Sequence, residues 1–235
     1  MIQITPLASS SAGNAYRITD GHTPLLLEAG VRFKDIQRAL DFKISELAGC
    51  LITHEHLDHC KAVVELMRAG VDVFASAGTL NAHGLLGHRA RPVHARQPFV
   101  VGTWTILPFD VRHDVAEPLG FLLANQNGDK LLFATDTYYI PYRFNSLSHL
   151  MVECNFSERI LNENIAAGRV PPIMKRRLLR SHFSLENFKQ FIQANDMSQV
   201  QEIWMLHLSD SNSDAAAFRQ EIQALTGVPV YIADR

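Results

Sequence analysis

The stretch that decides the reading is Leu51-Ile52-Thr53-His54-Glu55-His56-Leu57-Asp58-His59. It starts apolar and turns polar within a few residues. Cys50 to Thr53 has the character of a short buried strand. Five of the six residues from His54 to His59 are then polar or ionisable, and helical spacing follows at Val63, Val64, Met67 and Arg68. In α/β proteins strand ends carry sites, because the sheet holds the following loop rigid. His54 and His56 are two apart and can supply two imidazoles to one metal ion. Asp58 and His59 can turn toward a second ion. A solvated polar loop is the competing reading, and the density of H-x-H-x-D-H speaks against it. The zinc-protease pattern H-E-x-x-H fails, because Asp58 stands where its second histidine belongs.

Outward from this stretch, short strand-like runs alternate with helical patterns. Ala15 to Ile18 and Leu25 to Glu28 read as strands around a turn at Gly21. Phe33, Ile36, Gln37 and Leu40 have helical spacing. Gly70 suits the residue after a helix end, and Val71 to Ala75 reads as a strand. Trp104 to Phe109, Gly120 to Ala124 and Lys130 to Ala134 are further strands. Asn127-Gly128 predicts a tight hairpin between the last two. The last third has strands at Leu150 to Glu153, Glu202 to His207 and Val230 to Ile232. Helices are expected at Glu158 to Ala167, Leu185 to Ala194 and Asp214 to Leu225. No repeat, linker or low-complexity stretch interrupts the pattern, so one α/β domain over residues 1–235 is expected, with strands in two sheets.

The 235 residues include 22 basic and 24 acidic ones, for a net charge of -2, and 47% are hydrophobic. This balance excludes a disordered or polybasic chain. The chain has 11 histidines, the commonest metal-ligand type. Its three cysteines, Cys50, Cys60 and Cys154, are odd in number and lack C-x-x-C spacing, so they read as buried hydrophobes. The N-terminal residues lack the basic and apolar regions of a signal peptide, and no apolar run reaches membrane-spanning length. A cytoplasmic protein with no membrane partner is expected. His113-Asp114 suggests a helical phosphohydrolase in isolation, but Pro118 leaves too little room for the helix that fold needs.

Further motifs repeat a known order. They are Ala8-Ser9-Ser10-Ser11-Ala12-Gly13-Asn14, Leu26-Leu27-Glu28-Ala29-Gly30, His113-Asp114-Val115-Ala116-Glu117-Pro118, Thr135-Asp136-Thr137 and Glu153-Cys154-Asn155. After them come Lys175-Arg176-Arg177, His182-Phe183-Ser184 and His207-Leu208-Ser209. With H-x-H-x-D-H, this series resembles the metallo-β-lactamase superfamily, in its small bacterial and phage exonuclease-like branch related to RNase Z. Glu28 departs from the branch, which usually has Asp there.

The resemblance implies a four-layer αββα sandwich of two mixed sheets, with the site at one edge. It implies two divalent metal ions, Zn²⁺ by preference with Mn²⁺ or Fe²⁺ tolerated. His54, His56 and His113 would hold one ion, Asp58, His59 and His207 the other, and Asp136 would bridge them. Such ions, roughly 3.5–4 Å apart, lower the pKa of shared water to about 7. Asp58, Glu153 and His182 are the expected catalytic residues, with His182 as a proton donor and Glu153 beside it. Glu28 would stand behind the ligands. Asn14, Lys175, Arg176, Arg177 and His182 would contact substrate. The remaining histidines, His22, His83, His88, His94 and His149, read as surface or internally satisfied. The implied activity is a metal-dependent phosphodiester hydrolase, a nuclease acting on nucleic acid. Hydrolysis of a cyclic nucleotide signal and non-catalytic metal binding are the competing functions. The β-lactamase reaction is disfavoured, because H-D-x-x-E-P and H-L-S mark the nucleic-acid-processing side. A homodimer is compatible with the resemblance.

Overall fold

The computed structural model describes residues 1–233. Two mixed sheets flanked by helices make up an αββα metallo-β-lactamase sandwich.

The first unit comprises residues 1–110 and 115–129. Strands β1 (Gln3–Ser10), β2 (Gly13–Thr19) and β3 (Pro24–Leu27) pair antiparallel. Helix α1 (Phe33–Ala39) follows, and β4 (Gly49–Leu51) then pairs parallel with β3. After the short α2 (Leu57–Cys60) and α3 (Val63–Arg68) comes β5 (Val73–Ala75), and after α4 (Ala77–Ala82) comes β6 (Ala90–Pro92). Both of these strands continue the parallel series. Leu26, Cys50, Ile52 and Val73 pack against Ile36, Leu40, Val63, Leu66 and Leu80 of the helical segments. Burial of such side chains contributes about 1.5–3 kcal/mol each. Strands β7 (Phe99–Val101), β8 (Trp104–Asp110) and β9 (Leu119–Ala124) form an antiparallel series in the other sheet.

The second unit comprises residues 111–114 and 130–233. Here β10 (Lys130–Ala134), β11 (His149–Glu153), β12 (Glu202–Leu206) and β13 (Val230–Ile232) are all parallel. Helices α5 (Glu158–Ala166), α6 (Pro172–Ser181) and α7 (Leu185–Ala194) lie between β11 and β12, and α8 (Ala215–Thr226) between β12 and β13. All five residues of β11 are buried, as expected of a strand covered on both faces. Strand order in the second sheet is β13-β12-β11-β10-β9-β8-β7.

The hairpin after β9 differs from the tight two-residue turn expected at Asn127-Gly128. Gly128 has a positive φ of 89, but the Asn125 side chain organises the loop. Its Oδ1 accepts from the amides of Asn127 and Asp129, both at 3.0 Å. Lys175, Arg176 and Arg177 lie on the helix α6, which sequence spacing did not single out.

Candidate metal centre

The expected site residues stand at the carboxyl ends of parallel strands. Glu28 follows β3, Thr53 and His54 lie just beyond β4, Asp136 follows β10, Glu153 ends β11 and His207 follows β12. Three of them leave their strands through left-handed backbone: Glu28 at φ 62, Asp136 at φ 45 and His207 at φ 53. Asp and His tolerate this region better than Glu does.

In the first unit the H-x-H-x-D-H loop is tied to the segment after β3. The Ala29 amide donates to the His59 carbonyl at 2.7 Å, and the Gly30 amide to the Asn14 carbonyl at 2.8 Å. A Cβ on Gly30 would overlap the Asp58 carbonyl, so the backbones approach as only glycine permits. His54 Nδ1 is 2.8 Å from Thr53 Oγ1, and its Nε2 is 3.0 Å from His56 Nδ1. A cation between two facing imidazole nitrogens takes both lone pairs, which suits that arrangement. His59 is fully buried, its ring centroid 4.2 Å from that of His54. Its Nδ1 is 3.6 Å from Glu28 Oε2, and its Nε2 is 3.3 Å from Asp58 Oδ2. The fully buried Glu28 carboxylate also accepts from the Thr53 amide at 3.3 Å. The longer side chain therefore still reaches both the loop and His59.

Asn14, expected to contact substrate, is fully buried in β2. Its Nδ2 donates to the Asp58 carbonyl at 3.3 Å and lies 3.3 Å from His59 Nε2. Tyr16 Oη donates to its Oδ1 at 3.0 Å, and Ser9 Oγ is 2.7 Å from Tyr16 Oη. Asn14 positions the loop.

In the second unit four side chains, Asp136, Glu153, His182 and His207, offer donor atoms all within 4.8 Å of one another. His207 Nδ1 is 2.6 Å from Asp136 Oδ1 and 3.3 Å from Glu153 Oε1. Burial works against a charged ring there, but the two carboxylates outweigh it and push the His207 pKa up to about 10. His182 Nδ1 meets Glu153 Oε1 at 2.6 Å. Burial again opposes the charge, and Glu153 again raises the ring above the ordinary histidine value. Glu153 in turn is held below the usual carboxylate range by His182, against its own burial. Its other oxygen accepts from the amides of Thr137 at 3.2 Å and Phe183 at 3.0 Å. His113 Nδ1 lies 3.2 Å from the Ser181 carbonyl and donates to it, so Nε2 is the nitrogen that carries the lone pair. That atom is 3.9 Å from Asp136 Oδ2. Burial lowers the His113 pKa, which favours the neutral, metal-ready ring.

The first unit thus brings the imidazoles of His54, His56 and His59 together with Asp58, and the second brings His113 beside Asp136 in addition to the candidate metal cluster of Asp136, Glu153, His182 and His207. The donor set fits divalent cations: imidazole nitrogens and buried carboxylates, whose charge is costly without a counter-ion.

Several motif residues prove to be anchors to which no role was attached from sequence. Glu117 Oε2 accepts from the Gly78 amide at 2.7 Å, and Glu55 Oε1 from the Ala116 amide at 3.1 Å. Asn155 Nδ2 donates to the His207 carbonyl at 2.7 Å, which explains the asparagine of E-C-N. Of the basic run, Lys175 Nζ donates to Asn162 Oδ1 at 2.8 Å, whereas Arg176 and Arg177 are exposed on α6. His22, His83, His88 and His94 are exposed. His149 is buried with Nδ1 2.8 Å from Ser148 Oγ. The three cysteines are free and buried, as expected.

The family model described as a beta-lactamase superfamily domain matches residues 25–207, most of the chain. The chain belongs to the metallo-β-lactamase superfamily. Among curated members, "Exodeoxyribonuclease YycJ" of Bacillus anthracis is 28% identical over 226 residues, covering 90% of this chain and 84% of the relative. "Exodeoxyribonuclease WalJ" of Streptococcus pneumoniae serotype 2 is 28% identical over 225 residues, covering 88% and 81%. Among solved structures, the metallo-β-lactamase fold protein YhfI from Bacillus subtilis has a TM-score of 0.76 at 15% identity, covering 99% of this chain and 96% of that one. That last likeness is one of superfamily fold. With the candidate clusters, membership makes this chain a metal-dependent hydrolase.

Proposed function

We propose that this chain is a two-metal phosphodiesterase that degrades DNA from an end. The observation that carries the reading is the Glu153–His182 pair at 2.6 Å, packed against the Asp136–His207 pair. A phosphodiester leaving group needs a proton as it departs, and His182 is arranged to give one. Glu153 accepts from its Nδ1 and raises the ring above the ordinary histidine value against burial, while His182 in turn holds Glu153 below the usual carboxylate range. The relatives named exodeoxyribonucleases, matched over about nine-tenths of the chain, support DNA as the polymer.

In this proposal His54, His56 and His113 hold one ion, Asp58, His59 and His207 the other, and Asp136 bridges. Asp136 Oδ1 at 2.6 Å from His207 Nδ1 and Oδ2 at 3.9 Å from His113 Nε2 support its bridging role. When bound, such ions supply Lewis-acid charge and a water that ionises near neutral pH. Five imidazoles and two carboxylates suit Zn²⁺ best and tolerate Mn²⁺ or Fe²⁺. Arg176 and Arg177 grip backbone phosphates beside His182. Residues 1–235 act as one domain, a reading supported by the span of the family model. Free buried cysteines suit a reducing, cytoplasmic setting.

The test is hydrolysis by metal-loaded protein of end-labelled DNA, RNA and cyclic mononucleotides, with Zn²⁺ or Mn²⁺. Progressive shortening of DNA is expected. No cleavage of any phosphodiester, with two metals bound per chain, would overturn the proposal. Ring opening of cyclic mononucleotides alone would replace the polymer with a small nucleotide substrate.

A further inference from the structure

Residues 139–143 and helix α7 line a cavity of about 230 Å³. That is below the ~300–1,000 Å³ of pockets for drug-sized ligands, and suits a single ring system. Its wall includes Phe183, buried and edge-on to Phe188 and Phe191 with centroids 6.3 Å apart. Tyr139, Tyr142 and Arg143 also line it, with Asn187 and Gln190 of α7. Tyr139 is 56% exposed, so its ring is open to a ligand.

The loop is held in place. Asn187 Nδ2 donates to the Tyr138 carbonyl at 3.1 Å, and Thr137 Oγ1 to the Tyr139 carbonyl at 2.9 Å. Thr137 and Phe183 are also the residues whose amides hold Glu153. The two chain segments that fix the Glu153–His182 pair therefore also wall the cavity.

Resting on the phosphodiesterase reading above, we propose that this cavity is a base subsite, which takes one nucleobase of the nucleotide beside His182. Tyrosine rings supply a stacking face at low entropic cost, and every base presents a π-face to them. Arg143 adds a cation over such a ring system. The exposed Gln190 amide has a donor and an acceptor for a base edge. The subsite would therefore accept any base, with a modest preference set by Gln190.

Calorimetric titration of metal-loaded protein with thymidine 5′-monophosphate, 2′-deoxyadenosine 5′-monophosphate and 2-deoxyribose 5-phosphate tests this directly. All three probes carry the phosphate, so the difference between them reports the base. Both nucleotides should bind at least about tenfold more tightly than the sugar phosphate. Tyr139→Ala should remove most of that difference and Tyr139→Phe should retain it. Equal affinities for all three probes, binding of none, or an unchanged difference in Tyr139→Ala would each overturn the base subsite. Hydrolysis of DNA by the same preparation is scored separately. A failed base subsite with intact cleavage leaves the phosphodiesterase standing. Base-dependent binding without cleavage removes the phosphodiesterase and leaves a nucleotide site.

Discussion

Two buried residues near the candidate ligands separate positioning from coordination. Glu28 faces His59 Nδ1 and the Thr53 amide. Glu28→Gln keeps the shape and an acceptor oxygen but removes the charge. Apparent metal affinity, measured by competition with a chelator, should fall about 10–100-fold while the fold persists. Asp136→Asn acts on the carboxylate proposed to bridge the two ions. Metal content and hydrolysis should fall together, activity by more than about 100-fold, and activity within a few-fold of the parent would refute the ligand assignment. Gly30→Ala tests packing instead. The added methyl meets the Asp58 carbonyl, so the H-x-H-x-D-H loop must move. A loss of at least about 3 kcal/mol in denaturant unfolding, or failure to accumulate as soluble protein, is expected. The metal-binding residue types were legible because their motifs are dense in His and Asp. Asn14 and Asn155 were not, since an asparagine that binds substrate and one that ties down a loop look alike until burial is known. Glu55 and Glu117 sit inside quoted motifs, yet their partners are backbone amides far along the chain or outside any motif.

At the scale of elements, the strands were found closer to their true positions than their ends were. Leu25 to Glu28 and Glu202 to His207 read as strands, but the ladders stop at Leu27 and Leu206. Hydrophobic alternation cannot show where a chain turns left-handed to aim a side chain. Strand β1 escaped because Pro6 argues against a strand; its position at the sheet edge and the register shift between Pro6 and Ala8 accommodate it. Helix α6 escaped because Pro171-Pro172 and the basic run mask a thin apolar face, of which only Leu178 and Ser181 are buried. Its opposite face exposes Ile173, Arg176, Arg177 and Arg180 at helical spacing, ending next to His182. Replacing Arg176 and Arg177 with Ala should weaken DNA binding uniformly across sequences. The slope of log K against log salt should drop by about one for each phosphate no longer gripped, with metal content unchanged. An unaltered slope would show that this face is simply solvated.

For the whole molecule, the buried charges make stability depend on metal and pH together. His207 has an ordinary value of 6.5 and is pushed up to about 10 in the folded chain without metal. A raised folded pKa gives stability that is fully present below 6.5 and is lost as pH rises through about 10. The chelated protein should therefore lose melting temperature steadily over that interval. Metal binding requires a neutral ring, so loading with Zn²⁺ near pH 7 should release protons, measurable as buffer-dependent heat in calorimetry. A flat melting profile and no proton release would show that His207 is neutral before metal arrives. The left-handed backbone at Glu28, Asp136 and His207 has its own evolutionary consequence. Glycine holds such backbone at lower cost than Glu, Asp or His, so keeping these side chains at the strand ends costs stability. A lineage relieved of its chemistry would thus drift first at the strand ends, while the more conspicuous loop histidines persisted. A library sorted only for heat resistance, with chelator present, should reproduce that order of decay.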